Sequence, residues 1–247
     1  MSGHSKWSTI KRKKAATDAK RSKAFSKVLK EITIAVKEGG GSDPDGNPRL
    51  RMAINNAKGV NLPKENLERA IKKAGDKDSA SLAELTYEGY APNGIAVFLE
   101  CTTDNINRTV SNVRALFTKH GGTLGTNGSL EFIFDRKGVF TIPANGLDED
   151  EFTLEVIDGG ADDVVKEDDV FMVYTPFDDF GNMQKKLDDM NIQAENAELQ
   201  RIPNTTKPIA LDQSKKVLRL IEQFEEDDDV QNVFHNLEIT DELLQEI

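Results

Sequence analysis

The sequence predicts an α+β protein with an N-terminal helical bundle and two α+β (ferredoxin-like βαββαβ) domains, one inserted into the other. Apolar residues recur at helical spacing up to about residue 76 and then alternate as in strands from residue 85. Segments between residues 137 and 203 follow the order βαββαβ, which is typical of a ferredoxin-like unit. We therefore expect a helical domain over 1–80, a split α+β domain over 81–136 plus 204–247, and an inserted acidic domain over 137–203.

Three short helices are expected within residues 22–76. The first carries an apolar stripe from Phe25 to Val36 and ends at the run Gly39–Gly41, with Gly39 as the residue after the helix. Asn47 followed by Pro48 has the pattern of a helix start, because asparagine caps and proline fits the first helical position. A third helix is expected to start near Pro63 and to end at Gly75.

The rest of the chain alternates between strand and helix patterns. Predicted helices cover 107–120, 148–157, 177–190 and 211–224. Predicted strands cover 85–90, 95–101, 128–134, 138–143, 163–166, 170–174, 197–202 and 230–239. The helix and strand after residue 208 would complete the unit that begins near residue 84, which is why the second domain is expected to be split.

Charge is distributed very unevenly along the chain. The 247 residues carry 32 Lys+Arg and 43 Asp+Glu, a net charge of −11, but residues 1–80 sum to +10 and residues 81–247 to −21. Screening limits the reach of exposed charges to about 8 Å at physiological salt, so the basic part acts largely on its own. The acidic excess therefore restricts where a polyanion can bind rather than excluding one.

The first 37 residues contain 11 Lys+Arg and only two acids, and residues 2–21 have almost no apolar content. We expect this N-terminal arm to be mobile or only conditionally helical. Trp7 has two open interpretations, since it can stack on an unpaired base or dock on the helical domain. The candidate nucleic-acid-binding residues are Lys6, Trp7, Lys11, Arg12, Lys13, Lys14, Lys20, Arg21, Lys23, Lys27, Arg49 and Arg51.

Further cations can extend this patch over the third helix, at Lys64, Arg69, Lys72 and Lys73. The alternative is that some of them form exposed pairs at i,i+4 spacing, such as Glu65–Arg69 and Glu68–Lys72.

Residue patterns for catalysis or metal binding are weak. The three histidines lack partners in sequence, no Gly-x-Ser-x-Gly occurs, and the Gly39–Gly41 run is not followed by the Lys-Ser/Thr of a phosphate loop. The acidic stretch from Asp43 has its glycine at the wrong position for a calcium loop. The other acidic runs are interpreted as solvated surface that repels polyanions, and Cys101 as a buried thiol. We expect no enzyme activity, no cofactor and no metal.

Neither a membrane-spanning run nor a signal-peptide pattern is evident, and there is one cysteine, so we expect a soluble protein of a reducing compartment. We expect it to be cytoplasmic and monomeric.

Several ordered motifs resemble the YebC/PmpR family across essentially the whole chain. They are Gly3-His4-Ser5-Lys6-Trp7, Lys23-Ala24-Phe25-Ser26-Lys27, residues 39–51, residues 63–73, Tyr87-Glu88-Gly89-Tyr90, residues 103–109, residues 124–129 and Lys137-Gly138. Leu62 and Ala91 depart from residues common in the family. The resemblance implies three domains in a cytoplasmic protein. It also implies one of two roles, because bacterial members are described as DNA-binding transcriptional regulators and other relatives as translational activators or ribosome-associated factors.

Two functions therefore stay open from the sequence. The first is a DNA-binding regulator of transcription, and the second is a ribosome-associated RNA-binding translation factor. No helix-turn-helix spacing is evident, and most of the cations are lysines, which contact phosphates but carry little base information. The expected partner is DNA, ribosomal RNA or both, and the acidic domains are expected to face proteins of the ribosome or the transcription machinery.

Overall fold

The computed structural model describes residues 18–76 and 81–246, with residues 18–20 described in backbone only. It confirms the α+β class, with helices first and two four-stranded antiparallel sheets after them. The chain divides into two compact units. One holds the described residues of Met1–Lys27, Ala80–Asp135 and Ile202–Ile247, and the other holds those of Val28–Ser79 and Arg136–Arg201. The three-domain boundaries expected from the sequence stay a prediction.

The three predicted N-terminal helices are confirmed. They are α1 (Asp18–Glu38), α2 (Pro48–Gly59) and α3 (Lys64–Gly75). Helix α1 begins at Asp18, so Lys20 and Arg21, which we expected in an arm that is mobile or only conditionally helical, lie in a helix. Residues 18–24 contain no apolar residue larger than alanine, so the apolar periodicity, which starts only at Phe25, placed this start too late.

Asn47 organises the connection between α1 and α2. Its buried side chain donates to the carbonyl oxygens of Ala35 at 2.7 Å and Gly41 at 2.8 Å, and it caps α2 by accepting from the amide of Leu50 at 3.0 Å. A Cβ at Gly39 would collide with the Asn47 side chain. The left-handed conformation predicted for Gly39 is instead adopted by Gly40 and Gly41, with φ of 110° and 109°.

The first unit contains a sheet of order β3-β1-β2-β8. Its strands are β1 (Ala83–Ala91), β2 (Ile95–Thr103), β3 (Thr123–Leu124) and β8 (Val230–His235). Its helices are α4 (Ile106–Lys119), α7 (Leu211–Glu226) and α8 (Asp241–Gln245). Strand β2 is buried on both faces, because Val97 and Leu99 join the core under α4 and α7 while Phe98 joins a second cluster with Leu130 and Phe134.

The strand predicted over 128–134 is wrong. A short 3₁₀ turn occupies Glu131–Ile133, and the strand that follows begins at Phe134. In a strand over 128–134, Leu130, Phe132 and Phe134 would share one face. Leu130 and Phe134 are buried, but Phe132 is 75% exposed. Two other differences lie at the C-terminus, where β8 ends at His235 instead of residue 239 and α8 was not predicted.

The second unit contains the predicted βαββαβ arrangement. Its elements are β4 (Phe134–Pro143), α5 (Glu149–Asp158), β5 (Asp163–Glu167), β6 (Val170–Pro176), α6 (Phe180–Asp189) and β7 (Asn196–Pro203). The strand order β5-β6-β4-β7 is that of a ferredoxin-like sheet. Phe140 stacks on Phe180 at 4.7 Å between ring centroids, and Phe152 contacts Phe171 at 4.8 Å, so aromatic pairs fill the core between sheet and helices.

Within the described ranges, no helix is both long and apolar enough to cross a membrane.

Candidate nucleic-acid interface

Half of the predicted nucleic-acid-binding residues lie outside the part of the chain that the structure describes. These residues are Lys6, Trp7, Lys11, Arg12, Lys13 and Lys14. The side chain of Lys20 is outside it as well. Their role therefore stays a prediction that rests on sequence and charge.

Four candidates, Lys20, Arg21, Lys23 and Lys27, lie on α1, and two of them contact the backbone of the first unit. Lys23 donates from Nζ to the carbonyl oxygen of Glu226, at the last residue of α7, and Lys27 donates to the carbonyl oxygen of Gln231 at 3.1 Å. A cation beside the C-terminal carbonyls of a helix also interacts favourably with the helix dipole. Both lysines thus hold α1 to the end of α7 and the start of β8, whereas Arg21 is exposed.

Arg49 and Arg51, the remaining candidates, lie in the first turn of α2, next to the α1–α2 connection. Arg49 forms an ion pair with Glu38 at 3.5 Å. Arg51 donates to the carbonyl oxygens of Pro44, at 3.2 and 3.3 Å, and Asp45, at 3.0 Å. The guanidinium of Arg51 therefore fixes the polar turn that begins near Asp43, whose acidic residues superficially resemble a calcium loop. Both arginines have structural partners inside this unit.

Helix α3 carries the further cations that the sequence allows as an extension of the candidate patch. Arg69, Lys72 and Lys73 are exposed, and we call these three residues the α3 cationic face. Lys64 instead pairs with Glu68 at 3.7 Å. Neither the Glu65–Arg69 nor the Glu68–Lys72 pair considered from the sequence forms among the described residues. The sequence signal for this face is the spacing of its residues at i, i+3 and i+4, which places them on one side of the helix. The buried Ala74 lies on the other side.

Two of the sequence motifs meet at Glu88, which is 1% exposed. Its carboxylate accepts hydrogen bonds from the backbone amides of Gly128 and Leu130, each at 2.6 Å, and its carbonyl oxygen accepts from the amide of Gly125 at 2.7 Å. The Tyr87–Tyr90 motif therefore anchors the 124–129 motif. The backbone amides provide the hydrogen bonds that the buried carboxylate needs. The residues of both motifs are therefore explained by a role in the fold.

The 103–109 motif forms a polar cluster at the N-terminus of α4. Asn105 caps the helix, and Arg108 binds the carboxylate of Asp229 at 2.8 Å. Thr109 donates to the same carboxylate at 2.9 Å. The hydrogen bond to Asp229 raises the pKa of Arg108. Asp229 is only 4% exposed, so the expectation that the whole acidic run before β8 is solvated is wrong at this residue.

The 39–59 region also covers a sheet edge. Asn56 donates to the carbonyl oxygen of Ala197 at 3.0 Å and accepts from its amide at 3.0 Å, which imitates a strand neighbour at β7, an edge strand. A Cβ at Gly59 would collide with the carbonyl oxygen of Glu195. The second unit thus depends on close contact between α2 and the segment that enters β7.

The sheet surface that faces away from α5 and α6 is closed as well. Met172, Tyr174 and Thr141 lie on it, and each is at most 9% exposed. RNA-binding domains of related topology use an open sheet with aromatic residues for base stacking. This sheet does not offer such a surface.

Acidic side chains elsewhere are partly neutralised by lysines. Lys186 binds Glu155 at 2.5 Å, and this hydrogen bond raises the pKa of Lys186. Lys137 pairs with Asp162 at 2.7 Å and Lys166 with Glu149 at 2.7 Å. Glu167, which we expected to be solvated, is 8% exposed. Across residues 18–76 and 81–246, no cluster of three or more His, Cys, Asp or Glu has the arrangement of a metal site.

Cys101 is buried, as predicted, and His120 contacts Gln223 at 3.0 Å.

The fold and the charge distribution define an α+β protein in which a cationic helical region precedes two antiparallel sheets. Comparison with known proteins gives the family. The N-terminal domain of TACO1/YebC proteins matches residues 5–77, and the second and third domains of TACO1/YebC proteins match residues 82–237. The chain belongs to the TACO1/YebC family, which confirms the resemblance found in its motifs.

Curated relatives match over their whole length. A protein of Amoebophilus asiaticus is 49% identical, with 96% of this chain and 98% of that protein covered, and one of Brachyspira hyodysenteriae is 47% identical over the full length of both. Each is named a "probable transcriptional regulatory protein". A crystal structure of a conserved hypothetical protein from Aquifex aeolicus is 43% identical, with a TM-score of 0.83 and coverage of 92% of this chain and 94% of that one.

Proposed function

We propose that this protein is a regulator of gene expression that binds nucleic acid through its basic N-terminal arm and helical region, with DNA as the target. The observation that carries the proposal is the separation of charge, +10 in residues 1–80 and −21 in the rest. A local positive field attracts a polyanion, and each phosphate contact by a lysine or arginine releases counterions. The names of the relatives support a role in transcription.

The acidic part of the chain complements this role. A phosphate backbone is repelled by the carboxylates of residues 81–247, so nucleic acid is confined to the basic region. The same carboxylates suit contact with basic proteins. We expect the protein to act as a cytoplasmic monomer without cofactor or metal.

An RNA-binding translation factor at the ribosome is the second candidate function. The chemistry of the cations favours it, since lysines outnumber arginines and several described arginines bind backbone or carboxylate groups. Sequence reading in a DNA groove relies on bidentate Arg, Asn or Gln side chains on an accessible helix. A large folded RNA is recognised mostly through shape and phosphates, which lysines suffice to contact.

Crosslinking of the full chain to nucleic acid in cells, followed by sequencing of the bound fragments, tests the proposal. Enrichment of promoter DNA is expected for the transcriptional role, and enrichment of ribosomal RNA is expected for the translational one. A matched sample in which the cations of the arm are replaced by glutamine serves as the control. Recovery of neither class above that control would contradict both roles.

A further inference from the structure

We infer that the α3 cationic face, formed by Arg69, Lys72 and Lys73, is a binding site for the phosphate backbone of a nucleic acid. The inference rests on the proposed function, since it names the described residues through which that function is exerted. It also narrows the extension of the patch over the third helix that the sequence allows, from four cations to three, because Lys64 pairs with Glu68.

The geometry of α3 brings the three side chains onto one surface. Residues at i, i+3 and i+4 lie on the same face of a helix, and the three positions have this spacing. All three residues are exposed, whereas Ala74 on the opposite side is buried. At a rise of about 1.5 Å per residue, the row from Arg69 to Lys73 is about 6 Å long. This length corresponds to about two phosphate intervals of one strand, at about 3.4 Å per interval along the helix axis.

The α3 cationic face keeps its charge because acids do not neutralise it. None of its three side chains has a hydrogen-bond or ion-pair partner among the described residues, and the nearby carboxylate of Glu68 is paired with Lys64. Lys23, Lys27, Arg49 and Arg51, in contrast, each bind a carbonyl or a carboxylate. A phosphate that approached those four residues would have to displace an existing contact, whereas at α3 it would displace only water and counterions.

The chemistry of the face suits phosphates more than bases. Two of its three cations are lysines, which act as point charges without the planar fork that reads guanine. The site is therefore expected to bind DNA and RNA without strong sequence preference, and to position the protein rather than select the sequence.

The test is a titration of the full chain with a fluorescent single-stranded RNA and with a duplex DNA of the same sequence, at several salt concentrations. The variant carries Arg69→Gln, Lys72→Gln and Lys73→Gln. Its matched control carries Lys215→Gln, Lys216→Gln and Arg219→Gln on α7, which remove the same charge at similar spacing from the acidic part of the chain. A second variant with Lys72→Arg and Lys73→Arg retains the charge.

The α3 variant is expected to bind about tenfold or more weakly than wild type at low salt. The slope of log K against log salt should fall by about 2, since each phosphate contact on a single strand contributes about 0.7. The control and the charge-retaining variant should bind like wild type. If the α3 variant binds no more weakly than the α7 control, this site is wrong although the proposed function stands. If wild type binds neither probe, the proposed function fails, and this inference with it.

Loss of folding would give a different result from loss of a contact. Circular dichroism of the α3 variant should match wild type, because the three substitutions are on the solvent side of the helix and glutamine is a good helix former. Equal losses of affinity in the α3 and charge-retaining variants would mean that helix integrity, and not charge, was lost, and would overturn the inference.

Discussion

Lys27 donates a hydrogen bond from Nζ to the carbonyl oxygen of Gln231, with 3.1 Å between the two atoms. Lys23, one helical turn earlier, makes the equivalent contact with Glu226. Two residues that charge alone would assign to nucleic acid therefore have a partner within the protein. Cations that bind groups of the protein itself, such as these two lysines, are therefore assigned to the fold. The solvent-facing cations of α3 are assigned to nucleic acid.

Replacing Lys27 by methionine keeps the aliphatic stem but removes the donor. The free energy of unfolding should fall by about 1 kcal/mol, which is typical of one hydrogen bond. The Lys58→Met substitution at the exposed end of α2 is the control and should change stability by less than about 0.5 kcal/mol. Urea denaturation of both variants measures this. Equal stability of the two would show that the Lys27 contact contributes nothing to the fold.

Asn56 should be far more sensitive than its neighbour in sequence. Asn56→Ala leaves the amide and the carbonyl of Ala197 without partners at a buried edge, which costs about 1–3 kcal/mol. Asn55→Ala, on the same turn of α2, removes a side chain of the same size and is expected to cost much less. Chemical denaturation monitored by circular dichroism compares them, and a smaller effect at Asn56 than at Asn55 would contradict this assignment.

Glu88→Gln tests the anchor of the 124–129 loop. The glutamine side chain has the shape of the glutamate it replaces. Its NH₂ group, however, would lie opposite a backbone N–H that donates to a carboxylate oxygen in wild type, so two donors would face each other. A loss of about 2 kcal/mol is expected, since hydrogen bonds to charged groups contribute more than neutral ones. Glu131→Gln, on an exposed residue of the adjacent turn, is the control. Hydrogen exchange at Gly128 and Leu130 should accelerate only in the Glu88 variant.

Tyr174 should make the second unit sensitive to alkali. Burial raises the pKa of its hydroxyl, with smaller contributions from the carboxylates of Glu167 and Asp163. A group whose pKa is raised by folding keeps its contribution to stability below its unfolded pKa, about 10, and loses it as the pH rises further. The free energy of unfolding should therefore decline above about pH 10 in wild type.

Tyr174→Phe removes the titrating group. The hydroxyl is buried without a hydrogen-bond partner in the described structure, so the variant should be as stable as wild type, or slightly more stable, at neutral pH. The difference between variant and wild type should grow in favour of phenylalanine from about pH 10 upwards, as measured by denaturation across the pH range. A difference that is constant with pH would refute this explanation.

Local patterns predicted most of the fold because most elements follow them. The cap at Asn47, the stripe of α7 and the βαββαβ order are all encoded by residues close together in the chain. The strand predicted over 128–134 failed for a long-range reason. The carboxylate of Glu88 supplies the partners that the amides of Gly128 and Leu130 would otherwise seek in a sheet, and it lies about forty residues earlier.

The candidate interface was less predictable than the fold. Net charge locates the basic region, but it does not distinguish Arg51, which binds the Pro44 carbonyl oxygen, from Arg69, which faces solvent. That difference depends on which backbone carbonyls the fold brings near each side chain, and no spacing rule within one helix contains this information.

We propose that the basic N-terminal region binds a polyanion through its charges. The measurement that tests it most directly is the salt dependence of nucleic-acid binding by the full chain, compared with a variant in which Lys6, Lys11, Arg12, Lys13 and Lys14 are glutamines. Wild type should bind with log K falling linearly in log salt, and the variant should have a shallower slope, by about 3.5–4.5 for five lost contacts. Binding that is insensitive to salt, or that the variant retains in full, would contradict the account.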